Sequence, residues 1–129
     1  MIGKLIYGLL SEDVALTALV SSDNIYPYFL REETKFPAIV YTIDGITPDY
    51  TKDGWAQDDC SFSVVSLSTN YTSLQSIVVA VREALEMERG TVEGITIQHI
   101  HMIGMDEGYD VTTDIFANKL SFNVNVINY

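Results

Sequence analysis

The sequence predicts an α+β fold, with a long helix and an N-terminal helix packed on one face of a mainly antiparallel sheet of about five strands. The first observation is the apolar spacing in residues 71–89, which recurs at the three- and four-residue steps of an amphipathic helix. The second is the alternation of apolar and polar residues on both sides of this segment, which is typical of strands with one buried face. The third is the order of elements, because strands grouped in runs favour α+β over an alternating α/β fold.

The first 30 residues are expected to form helix and then an edge strand. Residues 1–20 are predicted as one helix with a break or as two short helices, because Ser11 is followed by two acidic residues that favour a new helix start. Pro27 lacks the N–H group that a central strand donates. Residues 25–30 are therefore predicted as an edge strand or an extended connection.

The next segment is predicted as a strand that leads into an acidic loop. Residues 36–44 are rich in β-branched and aromatic side chains. The predicted buried face of this strand carries Ile39, Tyr41 and Ile43. Residues 44–59 have two open interpretations, a mobile acidic loop or an arm whose Tyr50 and Trp55 anchor a neighbouring protein. The aspartates lack the D-x-D-x-D-G spacing of a calcium-binding EF-hand, so calcium is not favoured.

A second strand and the long helix follow. Residues 60–68 are predicted as a strand with serines on one face. In the helix over 71–89, Thr72 and Gln75 have the spacing of a capping box. Gly90 is expected to end the helix in the left-handed conformation.

The last third of the chain is predicted as a strand, a loop and a long strand. Residues 95–103 form the strand and residues 106–110 the loop. One face of that strand is expected to carry Ile95, Ile97, His99, His101 and Ile103. Residues 111–127 are predicted as one long strand or a bent pair. Its apolar face carries Phe116, Leu120, Phe122, Val124 and Val126, and its polar face carries Lys119, Ser121, Asn123 and Asn125.

Length and charge exclude several classes of function. A chain of 129 residues predicts a single domain over residues 1–129. The formal net charge is −11, and the seven basic residues are scattered singly rather than gathered in a patch. Tight binding to nucleic acid or to an anionic membrane is therefore not expected. With one cysteine, no signal-peptide pattern and no membrane-length apolar run, we expect a soluble intracellular protein.

Two histidines form the one candidate metal site. His99 and His101 are two residues apart on a predicted strand, so they would point the same way. Asp106, Glu107 and Asp110 follow nearby and could supply further ligands. Because no defined third ligand or Cys/His spacing motif is present, the two histidines remain weak candidates and no cofactor is predicted.

The sequence carries no catalytic motif that we can identify. It lacks the G-x-S-x-G of a serine hydrolase and the glycine patterns that bind phosphate. Cys60 begins a predicted strand without a signal for an adjacent base. The sequence therefore favours a non-enzymatic protein.

Over nearly its whole length the chain resembles the small tail-component proteins of tailed phages and prophages, the tail terminator, tail-completion or tail-to-head joining group. The resemblance rests on the interrupted N-terminal helix, Asn24–Pro27, the strand Phe36–Tyr41, the strand Ser61–Ser68, the helical segment Val81–Leu85 and the final strand with Phe122–Val124. The acidic segment 44–59 and the histidine strand are not part of that pattern.

The resemblance implies a virion structural protein without a catalytic site, located in the tail and assembled in the cytoplasm of a bacterial host. Such proteins form rings, often of about six subunits, at the head-proximal end of the tail tube. The implied partners are further copies of the chain, the tail tube protein and a head-completion or connector protein. The candidate interface residues are Tyr50, Trp55, Asp58, Ser121, Asn123 and Asn125.

Two other interpretations stay open. The first is a bacterial α+β domain, with or without enzymatic activity, that binds a small molecule or a metal through His99 and His101. The second is a dimeric adaptor without a connection to phages.

Overall fold

The computed structural model describes residues 2–30, 34–51 and 54–128, with the backbone but not the side chains of residues 51, 55, 56 and 128. Within these ranges the chain forms three α-helices, one 3-10 turn and seven strands. In chain order the elements are α1 (Ile2–Ser11), α2 (Val14–Thr17), the 3-10 turn (Ser22–Asn24), β1 (Ile25–Pro27), β2 (Ala38–Thr51), β3 (Gly54–Ser68), α3 (Tyr71–Leu85), β4 (Gly90–Val92), β5 (Ile95–Ile97), β6 (His101–Asp110) and β7 (Ile115–Asn128).

The described strands form one mixed sheet. Its order is β1-β2-β3-β7-β5-β4, and β6 also pairs with β7. β1 runs parallel to β2, and the other described pairs are antiparallel. The predicted α+β class is confirmed, but the expected number of about five strands is too low. β4 has only three residues, which is too short to give a period-two signal in the sequence, and the single strand expected over residues 95–103 is divided into β5 and the start of β6.

The hydrophobic core lies between the sheet and the helices. α3 contacts β3 and β7, and α1 contacts α3 and β2. At the centre, the fully buried rings of Phe62 and Phe122 stack with 5.3 Å between their centroids. The predicted alternation along β7 is confirmed, because its buried hydrophobic residues are Leu120, Phe122, Val124 and Val126. The alternate positions of β7 are polar and lie on the opposite face of the sheet.

The N-terminal predictions are confirmed. The helix is interrupted after Ser11, and α2 restarts with Asp13 as its N-cap. The Asp13 side chain accepts a hydrogen bond from the backbone N–H of Leu16 at 2.9 Å. β1 lies at the edge of the sheet and ends at Pro27, where the missing N–H costs no ladder hydrogen bond.

The long helix is confirmed, but both of its predicted caps are wrong. Asn70 caps α3, and its side chain accepts a hydrogen bond from the N–H of Ser73 at 3.1 Å. Asparagine at this position satisfies a free helix amide directly, so the Thr72–Gln75 box is not needed. α3 ends at Leu85 because the backbone N–H of Met87 donates to a carbonyl in the segment before β6 instead of continuing the helix. Gly90 does have a positive φ of 98°, but it begins β4.

The described residues of the predicted loop, 44–51 and 54–59, form two paired strands. β2 and β3 pair in register as far as Thr51 and Gly54, with β-bulges after Ile43 and after Asp49. Pro48 is tolerated because β1 pairs only with the first part of β2, so no described strand needs an N–H from this position. The expectation of a loop is therefore wrong for residues 44–51 and 54–59, because cross-strand pairing outweighs the local turn residues. Lys52 and Asp53, which belong to the same prediction, lie outside the described residues.

The segment after β4 also differs from the prediction. The expected strand over 95–103 is broken at residues 98–100, so that Ile103 is 62% exposed at a bulge of β6 instead of facing the core. The expected loop over 106–110 belongs to β6 and pairs with β7. Its acidic residues are compatible with a strand because β6 pairs only with β7 among the described strands, and edge strands carry charge readily.

Glu107 fastens the β6–β7 hairpin to the start of α3. Its carboxylate accepts hydrogen bonds from Tyr71 Oη, Gln75 Nε2 and Asn118 Nδ2, each at 2.9 Å. Asn118 is fully buried, so its amide N–H group has no access to water. These hydrogen bonds, with that from Asn118 contributing most, lower the pKa of Glu107 below its ordinary value.

We expect Glu107→Gln to lower the urea midpoint at pH 7, because a glutamine amide cannot accept all three hydrogen bonds. A carboxylate whose pKa is lowered in the folded state stabilises the fold above its unfolded pKa, which is about 4.3 for glutamate. This contribution is lost as the pH falls through the folded-state pKa. The difference between wild type and variant should therefore shrink below about pH 4. Glu83→Gln, on the exposed side of α3, is the matched control; an equal loss in both variants would contradict the assignment.

Candidate functional site

The first candidate surface is an arm made by the ends of β2 and β3 (residues 44–59). The last β3–β7 pair joins Asp58 to Val126, so beyond it β3 pairs only with β2 among the described strands. Tyr50 lies opposite Trp55 in the register and is 68% exposed. The side chain of Trp55 lies outside the described residues. The arm therefore presents at least one large aromatic side chain away from the core.

The second candidate surface is the face of the sheet that carries the alternate positions of β7. Three of the predicted interface residues, Ser121, Asn123 and Asn125, lie there, each half-buried. Their partners on β3 are Ser63, Ser61 and Asp59. Asp58 is separate from this group, because it pairs with Val126 and thus belongs to the helix-covered face. The structure therefore brings together three of the predicted residues on a polar face, and places Tyr50 and Asp58 elsewhere.

The two histidines lie beside this polar face, on either side of a buried anchor. Ile100 is fully buried, and its backbone accepts a hydrogen bond from Met87 N–H at 2.8 Å and donates one to Glu88 at 3.0 Å. These bonds tie the break between β5 and β6 to the segment after α3. His99 and His101 flank Ile100 in the sequence, and their ring centroids lie 6.3 Å apart.

A surface groove of about 570 Å³ opens at the histidines. It is lined by Arg89, Gly90, Ile97, Gln98, His99, His101 and Asn125. We call it the histidine groove. Two hydrogen bonds join Gln98 of the groove to Asn125 of β7. The backbone N–H of Gln98 donates to the backbone carbonyl of Asn125 at 2.9 Å, and the side-chain amide of Asn125 donates to that of Gln98 at 3.3 Å. The groove thus combines one guanidinium, two imidazoles and two amides.

The acidic residues proposed as further metal ligands do not join the histidines. Glu107 faces the helix side of the sheet and is engaged by three donors. Asp106 and Asp110 are five and nine residues further along β6 than His101, and strand geometry of about 3.3 Å per residue places them roughly 16 Å or more away. In residues 2–30, 34–51 and 54–128, no group of three metal-binding side chains lies together.

A comparison with protein families identifies the chain. The profile described as Tail completion protein gp17 matches residues 4–126. The chain belongs to this tail completion family. Membership places it in the virion tail as a structural protein.

The fold of this tail completion protein is similar to that of solved structures. One is a chain in a structure described as "Virion of native gene transfer agent (GTA) particle", with a TM-score of 0.82 and 15% identity over 97% of this chain and 93% of the other. Another, of a protein without a descriptive name, has a TM-score of 0.56 and 13% identity over 98% and 96% of the two chains. No curated protein sequence matches the chain.

The single cysteine of the tail completion protein does not have the character of a nucleophile. Cys60 is fully buried on β3. Burial, with a smaller effect of the neighbouring aspartates, raises the pKa of its thiol to about 11. The thiol is therefore neutral at physiological pH.

Among the described helices, none is both long and apolar enough to cross a bilayer.

Sequence reasoning missed the residues that complete the histidine groove, Arg89 and Gln98. The helix predicted over residues 71–89 includes Arg89, whereas this residue lies in the segment between α3 and β4. One signal was present in the sequence. The apolar residues Ile97 and Ile100 are three apart, which interrupts the period-two pattern and indicates a break in the strand.

Proposed function

We propose that this tail completion protein forms a closed ring of about six subunits at the head-proximal end of the tail tube. There it stops growth of the tube and offers a surface for joining the head, as a single-domain subunit without catalytic activity. Its partners are further copies of itself, the tail tube protein and a head-completion or connector protein. The observation that carries this proposal is the family match over residues 4–126.

The two candidate surfaces support a ring. A closed ring needs a heterologous contact, in which one patch of each subunit meets a different patch of the next. The arm and the polar face of β7 are two such different patches. The polar face suits an interface that includes bridging water molecules. Exposed aromatic residues such as Tyr50 are favoured anchors at interfaces.

The charge of the chain is compatible with the passage of DNA. Each subunit has a formal net charge of −11. A ring of such subunits repels the phosphate backbone instead of binding it, so DNA can pass through the lumen without adhering.

The first experiment is to determine the native mass of the purified protein, alone and with tail tubes, followed by negative-stain imaging. We expect a ring of about six subunits, either in solution or bound to one end of the tube. A protein that stays monomeric with tubes and does not bind them would contradict the proposal. A tight dimer with stoichiometric metal that is lost on His99→Ala would instead favour the metal-binding interpretation.

A further inference from the structure

We propose that the histidine groove receives the acidic arm of a neighbouring copy, with Arg89 binding the carboxylate of Asp49. This inference rests on the proposed ring and specifies the two surfaces that form its repeated contact.

The positions of the two surfaces suit a repeated contact between neighbours. Both lie at the same end of the sheet, level with Asn125 of β7. Asp59, at the base of the arm, pairs with Asn125 from the β3 side. Gln98, in the groove, contacts Asn125 from the β5 side. Because the arm and the groove lie on opposite sides of β7, copies placed side by side bring the arm of one against the groove of the next.

The charges of the two surfaces are complementary. Arg89 is exposed and makes no ion pair within the described part of the chain. Asp49 is likewise exposed and makes no ion pair within the same ranges. A guanidinium presents paired N–H donors that match the two oxygens of a carboxylate in a bidentate contact. The chain has only seven basic residues, so an arginine in this groove distinguishes it from the rest of the acidic surface as a binding site for a carboxylate.

The remaining groove residues favour the same occupant. His99 and His101 have ring N–H groups that can donate to further carboxylates of the arm, such as Asp59. One acid, Glu86, lies near His101 but is already held by Arg82 at 2.6 Å. Within the described residues, neither Glu86 nor the half-buried Glu88 forms an ion pair with Arg89.

The size of the groove fits side chains of an arm. About 570 Å³ is within the usual range for pockets that enclose a small ligand. A two-stranded ribbon spans about 4.8 Å between strands before its side chains are counted. The groove therefore accepts several side chains from one edge of the arm, not the whole hairpin.

A charge exchange tests the contact. Arg89→Glu and Asp49→Arg should each weaken ring assembly by about tenfold or more, because each puts like charges at the contact. The double variant Arg89→Glu/Asp49→Arg restores opposite charges and should recover rings. An equal mixture of the two single variants should also form rings, since each groove then meets an arm of opposite charge. Such a mixed ring alternates the variants and requires an even number of subunits, which native mass spectrometry resolves.

Lys4→Glu is the control for Arg89→Glu, because it changes the net charge by the same amount and sign at an exposed position on α1, where Lys4 pairs with Glu93 at 3.9 Å. It should leave assembly unchanged. Circular dichroism checks folding, and Asp49→Arg on the exposed arm remains informative if Arg89→Glu is poorly folded. Rings that form equally well in wild type and in both single variants would overturn the inference but not the proposed ring. A wild type that forms no ring, with or without tail tubes, would overturn both.

Discussion

Replacing Phe62 with alanine is expected to lower the free energy of unfolding by about 3–5 kcal/mol. The Phe62 ring is fully buried and stacks on Phe122 at the centre of the core. Truncation removes the contacts of a large ring and leaves a cavity between β3, β7 and α3, where close packing limits collapse. Because domains of this kind are stable by only about 5–15 kcal/mol, the loss is a large fraction of the total. Urea titration at one fixed protein concentration measures it.

The same substitution at an exposed phenylalanine is the control for this prediction. Phe29 is 74% exposed, so Phe29→Ala should change the free energy of unfolding by no more than about 0.5 kcal/mol. Phe62→Leu, which keeps more of the apolar volume, should lie between the two. A loss below about 1 kcal/mol for Phe62→Ala would contradict the placement of this ring at the centre of the core.

Shortening the arm is expected to abolish ring assembly while leaving the fold intact. In the variant, Asn-Gly replaces residues 49–57, because this dipeptide favours the tight turn of a two-residue hairpin. Among the described strands the removed residues pair only with one another, and none of their described side chains belongs to the core. Native mass spectrometry should therefore detect monomers in place of rings. The urea midpoint of the variant, compared with that of wild-type monomer, should change little.

A pair of matched double variants tests the aromatic residues of the arm alone. Tyr50→Ala/Trp55→Ala should raise the dissociation constant of assembly by about tenfold or more, because truncated aromatic anchors at interfaces commonly cost this much. Tyr28→Ala/Phe29→Ala removes two exposed aromatic residues outside the arm and should have little effect. Unchanged assembly in the Tyr50/Trp55 variant would mean that these side chains do not anchor a neighbour.

The helix-covered core was largely predictable from the sequence. The alternation along β7 identified its buried face correctly, since Phe122 and Val124 point into the core. The apolar spacing in α3 was equally clear, and Leu74 and Ile77 are buried as expected. Both periodic patterns can be detected in the sequence, because burial of one side of a regular element places apolar residues at a fixed spacing along the chain.

Part of the candidate site was also predictable. The polar alternation of β7 placed Ser121, Asn123 and Asn125 on one face, and the spacing of His99 and His101 placed the imidazoles near each other. Their use as an interface remains a prediction.

Only the tertiary structure decided that the acidic segment is a paired arm and that the histidines open a groove beside Arg89. Residues 44–59 carry turn and charge signals that locally favour a loop, and only the register between β2 and β3 makes the described residues 44–51 and 54–59 strands. The groove depends on Ile100, whose backbone bonds to residues 87 and 88 join parts of the chain that are distant in sequence. The sequence by itself determined which residues are buried in α3 and along β7. Pairing between distant segments depends on hydrogen bonds and packing that satisfy both partners at once, and no local pattern records that condition.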